Sequence, residues 1–488
     1  MSPGPSSWPG RRVVLLTDIH LDLSYNGTGR LRYGGYGTDS PPALVREVLQ
    51  AAASHAAAPD AVLVAGDLVR HNTGSLDETL ATYNAVSDEI HAFFPWSIVC
   101  GVLGNDDVFP DYFSGSSAPD FYARQAAATV RDCRLGIDEA TRLAHFGYYS
   151  RLLWPGVRLL SLNTLIYSVF SRVPEEGDRD PLGQFEWLQS QLRESSDRGE
   201  GCWILGHIPP VVDSYMRRAL WQPAYARAFW RILSQNAGVV RAQLFGHVHT
   251  QEFRTWGGSA YEHDSDNMPE DISSAPPLLT FGSVSPIYNS NPVIYILDAT
   301  EEGRIAALTS RWADLATYNG AEEPLLFAAE APFTFSPLTN AVYEEAAEQF
   351  LFADAHHKHS CWGDFLARYK VEHPGNATCH EANDLLQTCS TCADACRASL
   401  VCMLSHGTSD AAYQGCLTAY RHGDRDDQPF SVARAFDLSP GLMPLWYALL
   451  AMGLCAFGTL IFRVSSTLPV RRGMLQDSEE PGTPYQRY

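Results

Sequence analysis

The chain has 488 residues, 45% of them hydrophobic, which is enough to bury large cores and excludes a disordered chain. At roughly 150 residues per domain it holds about three units. Thirty-five Lys plus Arg against 56 Asp plus Glu leave a formal charge of −21, which argues against a broad grip on a nucleic-acid duplex or an anionic membrane face.

In chain order, residues 13–17, 61–65, 97–103, 157–162, 202–205, 241–245 and 278–281 are short apolar runs that read as buried strands. Between them, residues 43–57 place Leu44, Val45, Val48, Leu49 and Ala52 on one helical face after Pro41-Pro42. Residues 76–94, 183–194 and 224–235 read as further helices, and 295–298 and 305–311 as late strands. Strands alternating with helices predict an α/β protein over residues 12–315.

Residues 316–430 differ in texture. Residues 341–355, 363–369 and 381–405 read as helices, and Cys361, Cys379, Cys389, Cys392, Cys396, Cys402 and Cys416 crowd among them. This density predicts a small disulfide-stapled helical unit, with a zinc knot as the alternative. Cys100, Cys133 and Cys202 are scattered and read as small buried hydrophobes. Two sequons, Asn26-Gly27-Thr28 and Asn376-Ala377-Thr378, point with the cysteines to an oxidising compartment.

Residues 441–462 carry no charge over a length that spans a bilayer, with Trp446 and Tyr447 suited to one interface. Arg463, Arg471 and Arg472 beyond this span, against Arg434 before it, predict a cytosolic tail over residues 463–488 and a lumenal or extracellular body. The expected partner is therefore a membrane, through one C-terminal helix. The start of the chain conflicts with this placement, because residues 13–16 are too short for a signal sequence. Either the reading frame begins further upstream or the protein inserts tail-first with a cytosolic body. The oligomeric state is not set by the sequence.

Five short motifs fall at or just past the carboxyl ends of five predicted strands: Asp18-Ile19-His20, Gly66-Asp67, Gly104-Asn105, Gly206-His207 and Gly246-His247-Val248-His249. That edge of an α/β sheet is where ligands bind. Imidazoles, carboxylates and one amide suit zinc, iron or manganese, and the lack of a thiol argues against a purely structural zinc site. A glycine ahead of four of the motifs lets the backbone turn sharply beside an ion.

In this order the motifs resemble the calcineurin-type metallophosphoesterase superfamily. The resemblance implies a βαββαβ sandwich of two mixed sheets flanked by helices, with two divalent metal ions, zinc foremost. One ion would be held by Asp18, His20, Asp67 and His249. The other would be held by Asp67, Asn105, His207 and His247, with Asp67 bridging. Two ions roughly 3.5–4 Å apart can clamp the attacking and leaving oxygens of a phosphoryl group.

Further residues narrow the branch. His71 stands four after Asp67, and the stretches Trp203-Ile-Leu-Gly-His207-Ile-Pro-Pro210, Asp180-Pro-Leu-Gly-Gln-Phe-Glu-Trp187 and Ser285-Pro-Ile-Tyr-Asn-Ser-Asn-Pro292 are similar to the acid-sphingomyelinase-like phosphodiesterases and endopolyphosphatases. The similarity runs from about residue 12 to 420, and it implies the disulfides Cys392–Cys396 and Cys402–Cys416. With no cysteine before Cys100, a saposin-like domain is not expected.

His71 is expected to protonate the leaving oxygen; the competing role is a hydrogen bond to a ligand carboxylate. Asp106 departs from the family, which commonly has histidine there. It could serve as an acid at low pH, as an orienting group, or as a mark of reduced activity. The expected function is a membrane-anchored dimetal phosphohydrolase with a small or polymeric phosphate substrate. A phosphate leaving group needs little acid help, so the lost histidine leans towards polyphosphate or a nucleotide anhydride, while the acidic composition repels long polyanions. Phospholipid, choline or nucleotide phosphodiesters are the alternative. A non-catalytic scaffold and a cytosolic protein phosphatase are rivals of other classes.

Overall fold

The computed structural model describes residues 10–26, 31–114, 122–171, 178–214, 216–255, 275–318 and 324–329, and short pieces at 339, 342–343, 402–404, 407–408 and 413–418. The chain divides into Met1–Leu438 and Ser439–Tyr488, and all described residues lie in the first unit.

The N-terminal half of the fold is β1 (Arg11–Leu16), α1 (Pro42–His55), β2 (Ala61–Val64), α2 (Leu76–Phe93) and β3 (Ile98–Gly101), followed by α3 (Ala123–Asp132) and α4 (Ile137–Phe146). The second half is β4 (Tyr149–Trp154), β5 (Val157–Ser161), α5 (Gln184–Asp197), β6 (Gly201–Leu205), α6 (Pro223–Gln235), β7 (Val240–Phe245), β8 (Glu252–Arg254) and β9 (Leu278–Thr280). The strands β10 (Val293–Ala299) and β11 (Ile305–Trp312), the short helix α7 (Leu315–Tyr318) and β12 (Ala328–Ala329) complete it. Two six-stranded mixed sheets result, ordered β12-β11-β10-β1-β2-β3 and β4-β5-β6-β7-β9-β8.

The strand sequences explain the layering. In β1, Val13 and Leu15 point into a core shared with Leu159, Trp203, Leu205 and Leu244 of the second sheet, whereas Val14 and Leu16 pack with Leu44, Val48 and Leu49 of α1. In β6, Trp203 and Leu205 face the first sheet while Cys202 and Ile204 join Phe229 and Leu233 of α6. Strands buried on both faces must be apolar throughout, which is why they read as continuous runs. The two sheets are therefore stacked between helical layers, as the resemblance implied. Proline begins α1 and α6, and the Ser75 side chain caps α2 by accepting from the Glu78 N–H. β1, β2 and β3 are parallel, as are β5, β6, β7 and β9, so the carboxyl ends of these strands lie along common edges.

The structure departs from the sequence reading in two places. Cys100 and Cys133 are not isolated core residues: they form a disulfide joining β3 to the end of α3. Strands β4 and β8 and helices α3 and α4 add to the predicted elements. The Cys402–Cys416 disulfide is present, buried in the inter-sheet core. Its segment docks by backbone hydrogen bonds from Val212 N–H to Gly407 O and from Thr255 N–H to Leu404 O. The Cys392–Cys396 pair, the helix expected over 363–369, the span over 441–462 and the tail over 463–488 lie outside the described residues, and of the helices expected over 341–355 and 381–405 only 342–343 and 402–404 are described, both helical. Among the described residues no helix is long and apolar enough to cross a membrane.

Candidate metal centre

Each motif begins within a few residues of a strand end, and the backbone there is bent sharply. Asp18, His20, Asp67, His247 and His249 all adopt positive φ, from 46° to 71°, a region L-residues with a Cβ seldom enter. Strain of this kind persists only where surrounding structure over-determines it, as at functional sites. Two glycines show why the turns are tight. A Cβ on Gly66, at φ 90°, would lie 2.7 Å from His207 Nδ1. One on Gly104 would collide with the Asp67 carboxylate.

The turns collect two groups of candidate ligand atoms, buried except for the half-buried His247. In the first, His249 Nε2 lies 3.2 Å from Asp18 Oδ1 and 3.3 Å from His20 Nε2. In the second, His207 Nε2 lies 3.1 Å from both Asp67 Oδ2 and Asn105 Oδ1, and His247 completes the group. Asp67 Oδ2 also lies 3.7 Å from His20 Nε2, so one oxygen faces both groups. Asp18, His20, Asp67, Asn105, His207, His247 and His249 thus meet in one place.

Hydrogen bonds behind the ligands fix their orientation. His20 Nδ1 faces Val69 O at 3.0 Å and His207 Nδ1 faces Ala65 O at 2.7 Å, so the carbonyls hold the protons on Nδ1 and turn Nε2 towards the centre. Asp18 Oδ2 accepts from Thr17 Oγ1, and the His247 backbone N–H donates to the same carboxylate. Asp106 N–H donates to Asp67 Oδ1 at 2.9 Å, leaving Oδ2 free to point inward.

Electrostatics suit a cation. Burial, with the charge of His71, lowers the His20 pKa to about 4, and burial with His207 lowers His247 to about 3, so both rings present neutral lone pairs. Burial would raise Asp67, but the charge and hydrogen bond of His207 pull it well below the carboxylate range. Burial would lower His207, yet Asp67 lifts it to about 10. Two Nε2 atoms facing each other at 3.3 Å between buried carboxylates are groups a divalent cation would satisfy. The donor set therefore fits the implied metals.

His71 and Asp106 complete the centre. The His71 ring stacks on His20 at 4.2 Å, with Nδ1 2.8 Å from Asp39 Oδ1 and Nε2 3.6 Å from Asp106 Oδ2. Burial opposes its charge, but Asp106 and Asp39 hold its pKa at about 10. Burial raises Asp106 well above the carboxylate range, against the pull of His71.

Sequence reasoning assigned no role to Asp39 or Asp107. Asp39 precedes Ser40-Pro41-Pro42 with nothing to set it apart from a helix lead-in. Asp107 closes the Gly104-Asn105 stretch and accepts four backbone N–H groups, from Asp67, Leu68, Val69 and Gly104, at 2.7 to 3.1 Å. It ties the loop carrying Asp67 to the loop carrying Asn105; its place two after Asn105 was the available signal. Two tyrosines flank the ligands. Tyr288 stands edge-on to His249 at 4.6 Å, and Tyr112 contacts His247 and Phe170.

Residues 11–251 match the calcineurin-like phosphoesterase family. The chain is also similar to sphingomyelinase phosphodiesterase D of Dictyostelium discoideum, 28% identical over 276 residues that cover 56% of this chain and 59% of that protein. Sphingomyelin phosphodiesterase of Bos taurus is 25% identical over 344 residues, covering 64% and 52%. Acid sphingomyelinase-like phosphodiesterase 3b of Mus musculus is 27% identical over 289 residues, covering 54% and 61%. The chain spans little more than half the length of these relatives.

Proposed function

The chain carries a calcineurin-like phosphoesterase domain over residues 11–251, and from that premise we propose that it is a metal-dependent hydrolase of phosphodiesters of the sphingomyelinase-like kind. The observation that carries the proposal is the position of Asp67 Oδ2, 3.1 Å from His207 Nε2 and 3.7 Å from His20 Nε2, where one carboxylate oxygen can serve two cations.

Asp18, His20 and His249 would hold one divalent ion and Asn105, His207 and His247 the other, with Asp67 shared. Bound there, the pair of ions supplies Lewis acidity and a lowered pKa for water. Zinc is the preferred identity on the nitrogen and oxygen donors, with manganese or iron as alternatives. Of the chain's own groups, His71 gives the proton at Nε2 to the departing oxygen. Asp39 keeps the other ring proton on Nδ1, so the ring is aimed and charged before the leaving group arrives.

Sphingomyelin phosphodiesterases among the relatives support a phosphodiester with an alcohol leaving group, which needs such an acid. A polyphosphate or nucleotide anhydride is the second reading, supported by Asp106 where a histidine is common. The body would lie in a lumen or outside the cell, anchored through residues 441–462. The buried disulfides and the exposed Asn26 support that placement. The test is hydrolysis of sphingomyelin, CDP-choline, bis(nitrophenyl) phosphate and polyphosphate with added zinc or manganese. Phosphodiester cleavage is expected to lead. Cleavage of polyphosphate alone would favour the second reading, and cleavage of none would favour a scaffold.

A further inference from the structure

Asp106 replaces a common histidine, sits wholly buried, and makes one side-chain hydrogen bond that bears directly on a ligand. Its Oδ2 accepts from Asn105 Nδ2 at 3.1 Å, while Asn105 Oδ1 points the other way, 3.1 Å from His207 Nε2. The two ends of a carboxamide have the same shape and opposite hydrogen-bonding character, so packing alone cannot choose between its orientations. A flipped Asn105 would turn its carbonyl against the Asp106 carboxyl and its NH2 towards the centre, where it could not ligate a cation.

We infer that Asp106 is a positioning residue for the second metal site: its side chain holds the Asn105 amide with Oδ1 turned towards the cation. The backbone of the same residue acts in parallel, since Asp106 N–H fixes Asp67 Oδ1 and leaves Oδ2 to the centre. One residue thus orients two of the ligands that meet at His207. Asp106 Oδ2 lies 3.6 Å from His71 Nε2, beyond hydrogen-bond length, so the amide is its closer partner. This assignment accounts for a carboxyl in a place that must also admit a phosphate: it faces a ligand rather than the substrate.

The inference rests on the two-metal reading, and the experiment separates the two. Metal-free protein is titrated with zinc against a competing chromophoric chelator, for the unaltered chain, Asp106→Ala, Asp106→Asn and Asn105→Asp, and for Asn105→Asp combined with Asp106→Ala. Removing the partner of a ligand commonly weakens metal binding by about 10- to 100-fold. Asp106→Ala should therefore weaken the second equivalent by about that factor and leave the first unchanged. Asp106→Asn, whose Oδ1 can still accept from the Asn105 NH2, should restore most of the affinity. In the Asn105→Asp background a carboxylate has no wrong face, so adding Asp106→Ala should not weaken the second site further. Circular dichroism identifies any variant that fails to fold, and Asp106→Asn then carries the test as the near-isosteric change. An unchanged second equivalent in Asp106→Ala, or the same loss in the Asn105→Asp background, would overturn the positioning role. If the unaltered chain takes up fewer than two ions, the two-metal reading falls, and this inference with it.

Discussion

Asp39 grips His71 at two points: one carboxylate oxygen lies 2.8 Å from Nδ1 and the other accepts the His71 backbone N–H at 3.1 Å. The ring, stacked on His20, is left with Nε2 as its outward nitrogen. A general acid contributes about 10²- to 10⁴-fold, and most where the leaving oxygen is basic. His71→Ala should therefore spare metal content and lose about that much on alkyl phosphodiesters, with a far smaller loss on nitrophenyl esters. Asp39→Asn should follow the same pattern more mildly. Rates measured across a leaving-group series check this. A uniform loss would instead assign His71 to substrate positioning.

On the two-metal proposal Asp67 is shared by both ions, so its removal should differ in kind from removal of any other. Asp67→Asn should abolish turnover and release both ions on dialysis. His249→Ala should empty chiefly the first position and His207→Ala the second. Metal content by elemental analysis reads this directly, and equal mild losses from all three would refute the division of ligands.

The pH dependence of metal uptake follows from His207. In the metal-free protein its pKa stands at about 10, burial being outweighed by Asp67, whereas burial brings His20 to about 4 and His247 to about 3. A cation needs the Nε2 lone pair, so binding near neutrality must expel the His207 proton, while His20 and His247 have none to lose. Affinity at the second position should rise with pH from mild acid and level off only above the His207 pKa. Calorimetry in buffers of different ionisation heat should detect a proton released with the second equivalent. Uptake without proton release would contradict the assignment.

The residues of the candidate site were legible because their chemistry is local: each motif puts a side chain able to bind a metal immediately after a strand whose apolar run marks its own end. What escaped depends on distance along the chain. Asp39 meets His71 across 32 positions, and nothing near Ser40-Pro41-Pro42 announces it. Cys100 and Cys133 looked like separate core residues because helix α3, which brings them together, was not recognised in a stretch rich in alanine. β4 was missed for its polar interruption at Arg151, and β8 for its brevity and its Glu252 and Arg254. Glu252 and Arg254 are wholly buried and paired with each other, which sequence patterning reads as surface.

The Cys100–Cys133 disulfide closes a loop of sequence separation 33. Loop-closure entropy for that length corresponds to about 3–4 kcal/mol. Replacing both cysteines by alanine should lower stability by about that amount and shift the urea midpoint down. Because Cys100 lies on the strand leading to Asn105, metal occupancy should also be compared in folded samples. A midpoint unaffected by the double replacement would mean that this bridge contributes nothing to the fold.

The most direct measurement joins metal stoichiometry to chemistry. Zinc is added stepwise to the metal-free protein while hydrolysis of bis(nitrophenyl) phosphate is followed. The two-metal account predicts that turnover appears chiefly with the second equivalent and that Asp67→Asn shows none at any zinc level. Full turnover after a single equivalent, or a chain that binds two ions and cleaves no phosphodiester, would contradict it.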